Sequence, residues 1–437
     1  MRSSSLAAAL VLALVLLPAC GDSGTPDASG AKSSSAASGA GDAASGSGGN
    51  KAENPSITPE SLKPKSLLAR VKSAEDDAIR YLRSYQDPKT GAVGVAKPVN
   101  EKTRHPGITA MAVLGYIESN RGYGSEDGPF VRNALDYLAG LQKEDGSIYE
   151  NDSANYVTSL ALMALQASGE ERFKETVERA RDYLVRLQAT EDQGYKKDDK
   201  FYGGVGYGSS QRPDLSNTQF AIEAVHRAGL EEGHPFYEAA IQYLQRCQNL
   251  SEVNDQVAKD ADGNEIRPGN DGGAFYAPGE SKAGVTELSD GSRVFLSYGS
   301  MSYALLKSYL FCGLDRRDRR VKAVVDWTRK NFDLERHPGF AAGAKGDEPY
   351  QGMYYYYLSM ARTLGAMGEE SFVDGAGVER KWAVELAEKL LSLQNPDDGS
   401  FVNEKNPRWQ EGFRVLATSY ALLALEECRR TLEKSGR

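Results

Sequence analysis

The residues best equipped for chemistry in this 437-residue chain are carboxylates and hydroxyls set among glycines. Asp214 stands just ahead of Leu215-Ser216-Asn217-Thr218. It and Asn217 can either cap a helix opening at Thr218 or reach a ligand. Asp271, in Asn270-Asp271-Gly272-Gly273, is either a turn residue or an acid in a cleft. Glu287, Asp290, Asp347 and Glu348 complete the acids in comparable loops. Two carboxylates about 5 to 10 Å apart across a cleft would suit glycoside hydrolysis, and the sequence does not choose the pair. The run Tyr354-Tyr355-Tyr356-Tyr357 places hydroxyls all round a helix, so some must face inward, and Tyr354 and Tyr356 are taken as the candidates. Tyrosine outnumbers tryptophan 23 to 3, which suits a cavity with apolar walls and hydroxyl tips.

Other chemistries have little material. Four cysteines without a Cys-x-x-Cys pair and four histidines argue against a disulfide framework and a Cys/His metal cluster. Neither a zinc ion nor any other cofactor is expected. Cys247, Cys312 and Cys428 fall in helical segments and read as inert buried thiols, and His226 and His234 as surface residues. A net charge of −9 lacks the basic footprint of a nucleic-acid binder or a polybasic membrane-surface module.

The elements around these residues begin with an address. Leu6 to Leu17 form an apolar run behind Arg2, shorter than the roughly 20 residues that span a bilayer, and read as the core of a signal peptide. The run ends in Leu17-Pro18-Ala19-Cys20-Gly21, which resembles the lipobox of bacterial lipoproteins. That resemblance implies a signal peptide over 1–19, acyl chains on Cys20, and an extracytoplasmic protein held to a membrane of the cell envelope by lipid. From Gly21 to Asn54 the chain is mostly Gly, Ser and Ala, so 20–54 is expected to be a tether. The folded part is expected over 55–437, as a monomer.

That part repeats six times. One helical face recurs before Gln86, Gln142, Gln188, Gln248, Asn331 and Gln394, with Leu82, Leu138, Leu184, Leu244, Trp327 and Leu390 four residues earlier. A second, more apolar helix follows in each repeat. Four of these are marked by Thr109, Thr158, Thr218 and Thr418, each with Ala three residues on; Met301 and Leu358 are expected to mark repeats four and five. The more apolar helices should form the inner layer.

The turns Gln142-Lys-Glu-Asp-Gly146-Ser147 and Gln394-Asn-Pro-Asp-Asp-Gly399-Ser-Phe401 resemble degenerate Gln-Trp repeats of squalene cyclases. Gly203-Gly204-Val205-Gly206-Tyr207 and the helix after Asp214 are similar to the glycine turn and inner helix of protein prenyltransferase β subunits. The resemblance covers about residues 66 to 430 and implies an all-α fold, an α/α toroid of six inner and six outer helices. It also implies chemistries whose residues are missing. The cyclases' Asp-x-Asp-Asp acid motif is absent. The prenyltransferases' Asp-x-Cys zinc ligands fall on Tyr298 and Ser300, their zinc His near Met353 or Tyr354, and their diphosphate His on Asp214; Arg293 lies one position out of register with a phosphate Arg.

One set of connections is nearly constant in length. The other runs from 16 residues (Gln142 to Thr158) to 53 (Gln248 to Met301). In a toroid the variable loops share one end, beside the N-termini of the inner helices, and binding usually sits on such loops. Asp214, Asn217, Asp271, Arg293, Tyr298, Ser300, Tyr354 and Tyr356 are therefore expected around one mouth. The opposite end, near Gly169 and His234, is expected to carry no comparable pocket. The favoured expectation is a membrane-anchored protein that binds a ligand or an envelope partner at that mouth. The alternative is an enzyme using mouth carboxylates, either isoprenoid-type or carbohydrate-cleaving, since α/α toroids also host glycosidases and lyases.

Overall fold

The computed structural model describes residues 66–436 except 152, 209–210 and 341–345. The expected signal peptide, Cys20, the expected tether and the first residues of the expected folded part lie outside the described residues. Among the described residues, twelve α-helices alternate between two layers. The outer six are α1 (Leu67–Ser84), α3 (Pro129–Gly140), α5 (Lys174–Arg186), α7 (Pro235–Arg246), α9 (Arg319–Lys330) and α11 (Trp382–Leu393). The inner six are α2 (Pro106–Glu118), α4 (Ala154–Ala167), α6 (Leu215–Arg227), α8 (Gly299–Phe311), α10 (Met353–Met367) and α12 (Arg414–Lys434). Each inner helix packs on the next, and α12 returns to α2 and α1. The fold is an α/α toroid.

The recurring glutamines explain why six separate pairs close into a ring. Each Nε2 donates twice, to the carbonyl of a glycine in its own loop and to a carbonyl of the next outer helix. Gln86 reaches Gly91 and Phe130, both at 2.7 Å; Gln188 reaches Gly203 and Phe236, both at 2.9 Å. Gln142 and Gln248 repeat the pattern. Gln394 completes it by reaching Gly399 and, across the seam, Ala74 of α1, both at 3.0 Å. At Gly203 the backbone has φ 83° and a Cβ would lie 1.8 Å from the Ala239 carbonyl oxygen, so only glycine lets the loop touch the neighbouring helix. Repeat five lacks the clamp. Asn331 is one methylene shorter, and its amide turns back to Trp327 of its own helix at 2.8 Å.

The inner threonines tie each loop to its helix. The hydroxyls of Thr109, Thr158, Thr218 and Thr418 accept from the N–H groups of Val93, Ile148, Val205 and Phe401. In repeat four Ser302, not Met301, does this, accepting from Ala274 at 3.0 Å. In repeat five Tyr356 rather than Leu358 takes the corresponding helical position, four residues after the N-cap Gly352. Its ring lies against Gly299, where a Cβ would meet it at 2.6 Å. Apolarity alone could not distinguish neighbouring positions on helices that are buried nearly all round.

Among the described residues three short hairpins interrupt the helices: β1 (Ala258–Lys259) with β2 (Glu265–Ile266), β3 (Val285–Glu287) with β4 (Arg293–Phe295), and β5 (Phe372–Val373) with β6 (Glu379–Arg380), all antiparallel. The first two lie in the long loop before α8.

Candidate functional site

The N-terminal turns of the inner helices converge at the long-loop end. Tyr156 of α4, Ser216 of α6, Ser300 of α8, Tyr355 of α10 and Tyr420 of α12 line one pocket. The loop before α8 adds Tyr276, Lys282 and Tyr298, and the loop before α12 adds Trp409 and Glu411. The cavity is small, about 50 Å³, so its tyrosine walls nearly touch. The Tyr355 hydroxyl lies 2.7 Å from Ser216 Oγ, which is 2.5 Å from the Tyr156 hydroxyl. This chain of hydroxyls gives the apolar walls a polar seam.

The residues expected from sequence divide. Tyr298 and Ser300 line the pocket. Asp214 lies one layer behind it, buried as the N-cap of α6. Its oxygens accept from the Asn217 N–H at 2.9 Å and the Asn217 side-chain amide at 2.7 Å. Asn217 in turn accepts from Asn155 of α4 at 3.0 and 3.1 Å. Burial pushes Asp214 up to about 6 against those bonds and the Tyr276 hydroxyl.

Asp271 is a turn residue, accepting from the Gly273 N–H at 2.9 Å and from Ser297 Oγ at 2.8 Å. Arg293 sits in β4 and pairs with Asp260, away from the pocket lining. Tyr354 points to a separate outer groove with Lys389 and Arg414, its hydroxyl donating to the Val402 carbonyl at 3.3 Å. Tyr356 packs under Gly299 and donates to the Asp333 carbonyl at 3.0 Å. The member of the run facing the lumen is Tyr355. The helix begins only at Met353, and that start sets which residue meets the axis.

Two functional-looking residues escaped sequence reasoning. Glu411 supplies the carboxylate actually in the pocket. It holds the N-terminus of α10, accepting from the Tyr355 N–H at 2.9 Å while its other oxygen accepts from Asn403 at 2.7 Å. Burial pushes it up to about 7 against these bonds. His337 accepts from the Ser300 N–H at 2.9 Å through Nε2, so its Nδ1 donates to the Gln351 carbonyl at 2.8 Å. Burial lowers it to about 4, keeping it neutral. Neither has a motif to betray it; both come from irregular loops that only the folded ring brings to the mouth. Among the described residues no three His, Cys, Asp or Glu side chains converge as a metal site would need.

Residues 107–263 match the squalene-hopene cyclase C-terminal domain family. Over that stretch, little more than a third of the chain, it resembles the squalene cyclase family. Among solved structures it resembles the type II terpene cyclase MstE from Scytonema, at 14% identity and a TM-score of 0.50, over 84% of this chain and 100% of that one. An unsaturated glucuronyl hydrolase specific for heparin gives 12% identity and a TM-score of 0.46, over 85% and 98% of the two chains. A protein from Actinoplanes gives 14% and 0.44, over 82% and 99%. No curated protein matches the chain in sequence. At such identities these likenesses concern the fold, and activity has to be argued from the site.

In this toroid the other end of the lumen is closed by charge. Below Tyr355 lies a constricted apolar stretch between Met111, Leu160, Phe220 and Leu423. Beneath it Glu118 accepts from Arg227 and Arg362, both at 2.8 Å, and from Arg430 at 3.1 Å. Glu223 pairs with Lys307 and Arg227, and Glu75 with Arg429 at 3.0 Å. Against the upward push of burial, Arg362, Arg227 and Arg430 hold Glu118 well below the usual carboxylate range. Glu426 lies fully buried among them with neither oxygen in a hydrogen bond. The expectation of no comparable pocket here needs amending. A groove of about 300 Å³ runs past Gly169 between α4 and α5, but it is an outer-surface feature and not an entrance to the lumen. His226 is exposed, as expected, and stacks on Phe311 at 4.6 Å.

Proposed function

We propose that this chain is a bacterial envelope protein anchored through lipid on Cys20, whose toroid binds a ligand with an apolar body at the long-loop mouth. The observation carrying this reading is the tyrosine-walled pocket where five inner helices begin, at the end of the lumen opposite the ion-pair closure. Such a pocket offers apolar area with a few placed polar groups, the usual make-up of a small-molecule site. The cyclase acid motif and the prenyltransferase ligand set are missing from the sequence, which supports binding over either parent chemistry. The test is extraction of protein purified from its membrane, followed by mass spectrometry, together with titration by a panel of octyl-chain compounds. A bound apolar compound at near one per chain is expected. A chain carrying none and binding none of the panel would remove the reading.

Glu411 favours one alternative, an enzyme using mouth carboxylates in an isoprenoid-type or carbohydrate-cleaving reaction. A buried carboxyl pushed up to about 7 in a pocket is suited to general-acid work. Both its oxygens already serve the N-terminus of α10 and Asn403, so binding is the better-supported function.

A further inference from the structure

Five of the six repeats close the gap between consecutive outer helices with a loop glycine. A Cβ at Gly91, Gly146, Gly203, Gly272 or Gly399 would lie 1.8 to 2.7 Å from a backbone atom of the next outer helix. Repeat five makes no such contact. Its Asn331 turns back to its own helix, and Gly339 faces repeat four, where a Cβ would lie 2.0 Å from the Ser297 carbonyl oxygen. The β5–β6 hairpin takes over the contact with α9, the Gly375 N–H donating to the Arg329 carbonyl at 3.2 Å. A groove is left between residues 332–335 and α11. Its two stretches, about 630 and 490 Å³, share Glu335, Lys389 and Ser392. The residues of α11 that line it, from Glu385 to Leu393, alone span about 12 Å.

Met353, Tyr354 and Tyr357, all buried, form an apolar floor. Three ion pairs edge it: Arg380 with Glu385 at 3.2 Å, Lys389 with Glu335 at 2.6 Å, and Arg414 with Glu404 at 3.6 Å. Asp333 adds a fourth acid and Lys405 a fourth base, so the lining has no net charge. Ion pairs near the surface contribute little to stability, but each of these sets a donor beside an acceptor. Gln394 and Asn395 do the same without charge. Gln394 gives its Nε2 to the clamp, and its Oε1 accepts from nothing among the described residues. Asn395 Oδ1 accepts from the Asp397 N–H at 2.9 Å, and its Nδ2 donates to nothing among them.

We propose that this groove binds a neutral saccharide chain. A hydroxyl both donates and accepts, so hydroxyls on consecutive ring carbons match donors and acceptors set in adjacent pairs. The C–H face of the ring matches the apolar floor, and the length along α11 suits several rings rather than one. A peptide strand would need an unpaired backbone edge, and a peptide helix an unbroken apolar trough. The groove offers neither: its walls are side-chain tips on a helix and on loops. The site lies apart from the mouth and does not rest on the ligand-binding reading of it.

The experiment is calorimetric titration of the complete chain carrying Cys20→Ala, which avoids detergent, with neutral hexasaccharides of glucose, mannose, galactose and N-acetylglucosamine. At least one is expected to bind at one per chain, at least tenfold more tightly than its own monosaccharide. Salt at about 0.5 M should change that affinity less than about twofold, because no net charge is matched. Ser392→Trp, at an exposed residue lining both stretches, should fill the groove and weaken binding at least tenfold. Glu335→Ala, whose side chain is 73% exposed, should weaken it several-fold with the urea midpoint unchanged. Binding of none of the hexasaccharides would overturn the proposal. So would binding unmoved by Ser392→Trp, or by Glu335→Ala should the tryptophan variant not fold. A hexasaccharide of galacturonate binding more tightly than every neutral one would overturn the neutral ligand. An uncharged octapeptide of alternating serine and alanine binding as tightly as the sugars would make this a peptide groove instead.

Discussion

Glu426→Gln should change the pH dependence of stability more than stability itself. Glu426 is fully buried and neither oxygen is hydrogen-bonded; its one ion-pair contact among the described residues is a long one, 3.9 Å to Arg430 Nη2. Burial, reinforced by Glu118 and Glu75, pushes its carboxyl well above the ordinary value. A glutamate raised in the folded state holds a proton that the unfolded chain, at about 4.3, releases. Its contribution is therefore fully present below about pH 4 and is lost as pH rises towards the folded value. Each pH unit in that window costs about 1.4 kcal/mol. Glutamine is neutral at every pH and of nearly the same shape. The variant should match the wild type near pH 4.5 and gain on it by about 1 kcal/mol or more per unit between pH 5 and 7. Glu75, pushed up to about 7 by burial in the same cluster, leaves a residual slope in both proteins. Urea unfolding of the pair at pH 5, 6 and 7 measures the difference. A difference that stays flat with pH would mean that Glu426 is ionised in the fold and that its pairing has been misread.

The glutamine clamp predicts a contrast between equivalent positions: Gln188→Ala deletes two hydrogen bonds from a buried amide and should cost about 2 kcal/mol, whereas Asn331→Ala should cost well under 1 kcal/mol. Equal losses in urea unfolding would count against the clamp. Gly203→Ala should be severely destabilising, about 3 kcal/mol or more, since its Cβ would collide with the Ala239 carbonyl; a soluble variant of near wild-type thermal midpoint would contradict the close approach. Cys20→Ala expressed in a bacterial host should move the protein from the membrane fraction to the soluble one, and retention at the membrane would refute lipid anchoring.

The ring was readable from sequence because its constraints repeat. The clamp needs a glutamine, a left-handed glycine and a following hydroxyl at steady offsets, so five loops declare the same geometry independently. Where a repeat departs from the pattern, the signal fails for a physical reason. Ser302 substitutes for threonine beside an apolar Met301, and Tyr356 takes over the position in repeat five. The inner helices offer no exposed face to fix the register, so a shift of one or two residues leaves their pattern equally apolar. The same ambiguity moved the lumen-facing tyrosine from Tyr354 and Tyr356 to Tyr355.

The site was harder to read because polar residues at helix starts have two uses. Asp214 and Asn217 carry the composition of a ligand-binding pair, yet their hydrogen bonds go to the cap of α6 and to Asn155 of the neighbouring helix. The pocket's charges, Lys282 and Glu411, come from loops without periodicity. The charged closure was equally silent: Glu118, Glu223, Lys307, Arg362 and Arg430 stand in five inner helices and become a cluster only when the ring closes. Their placement gives the lumen a direction. Ion pairs seal the C-terminal ends of the inner helices, where a departing ligand would have to break several buried pairs at a cost of several kcal/mol. At the N-terminal ends only tyrosine rings and Trp409 stand in the way, and moving a side chain costs far less. Exchange with solvent is therefore expected at the mouth and not at the ion-paired end.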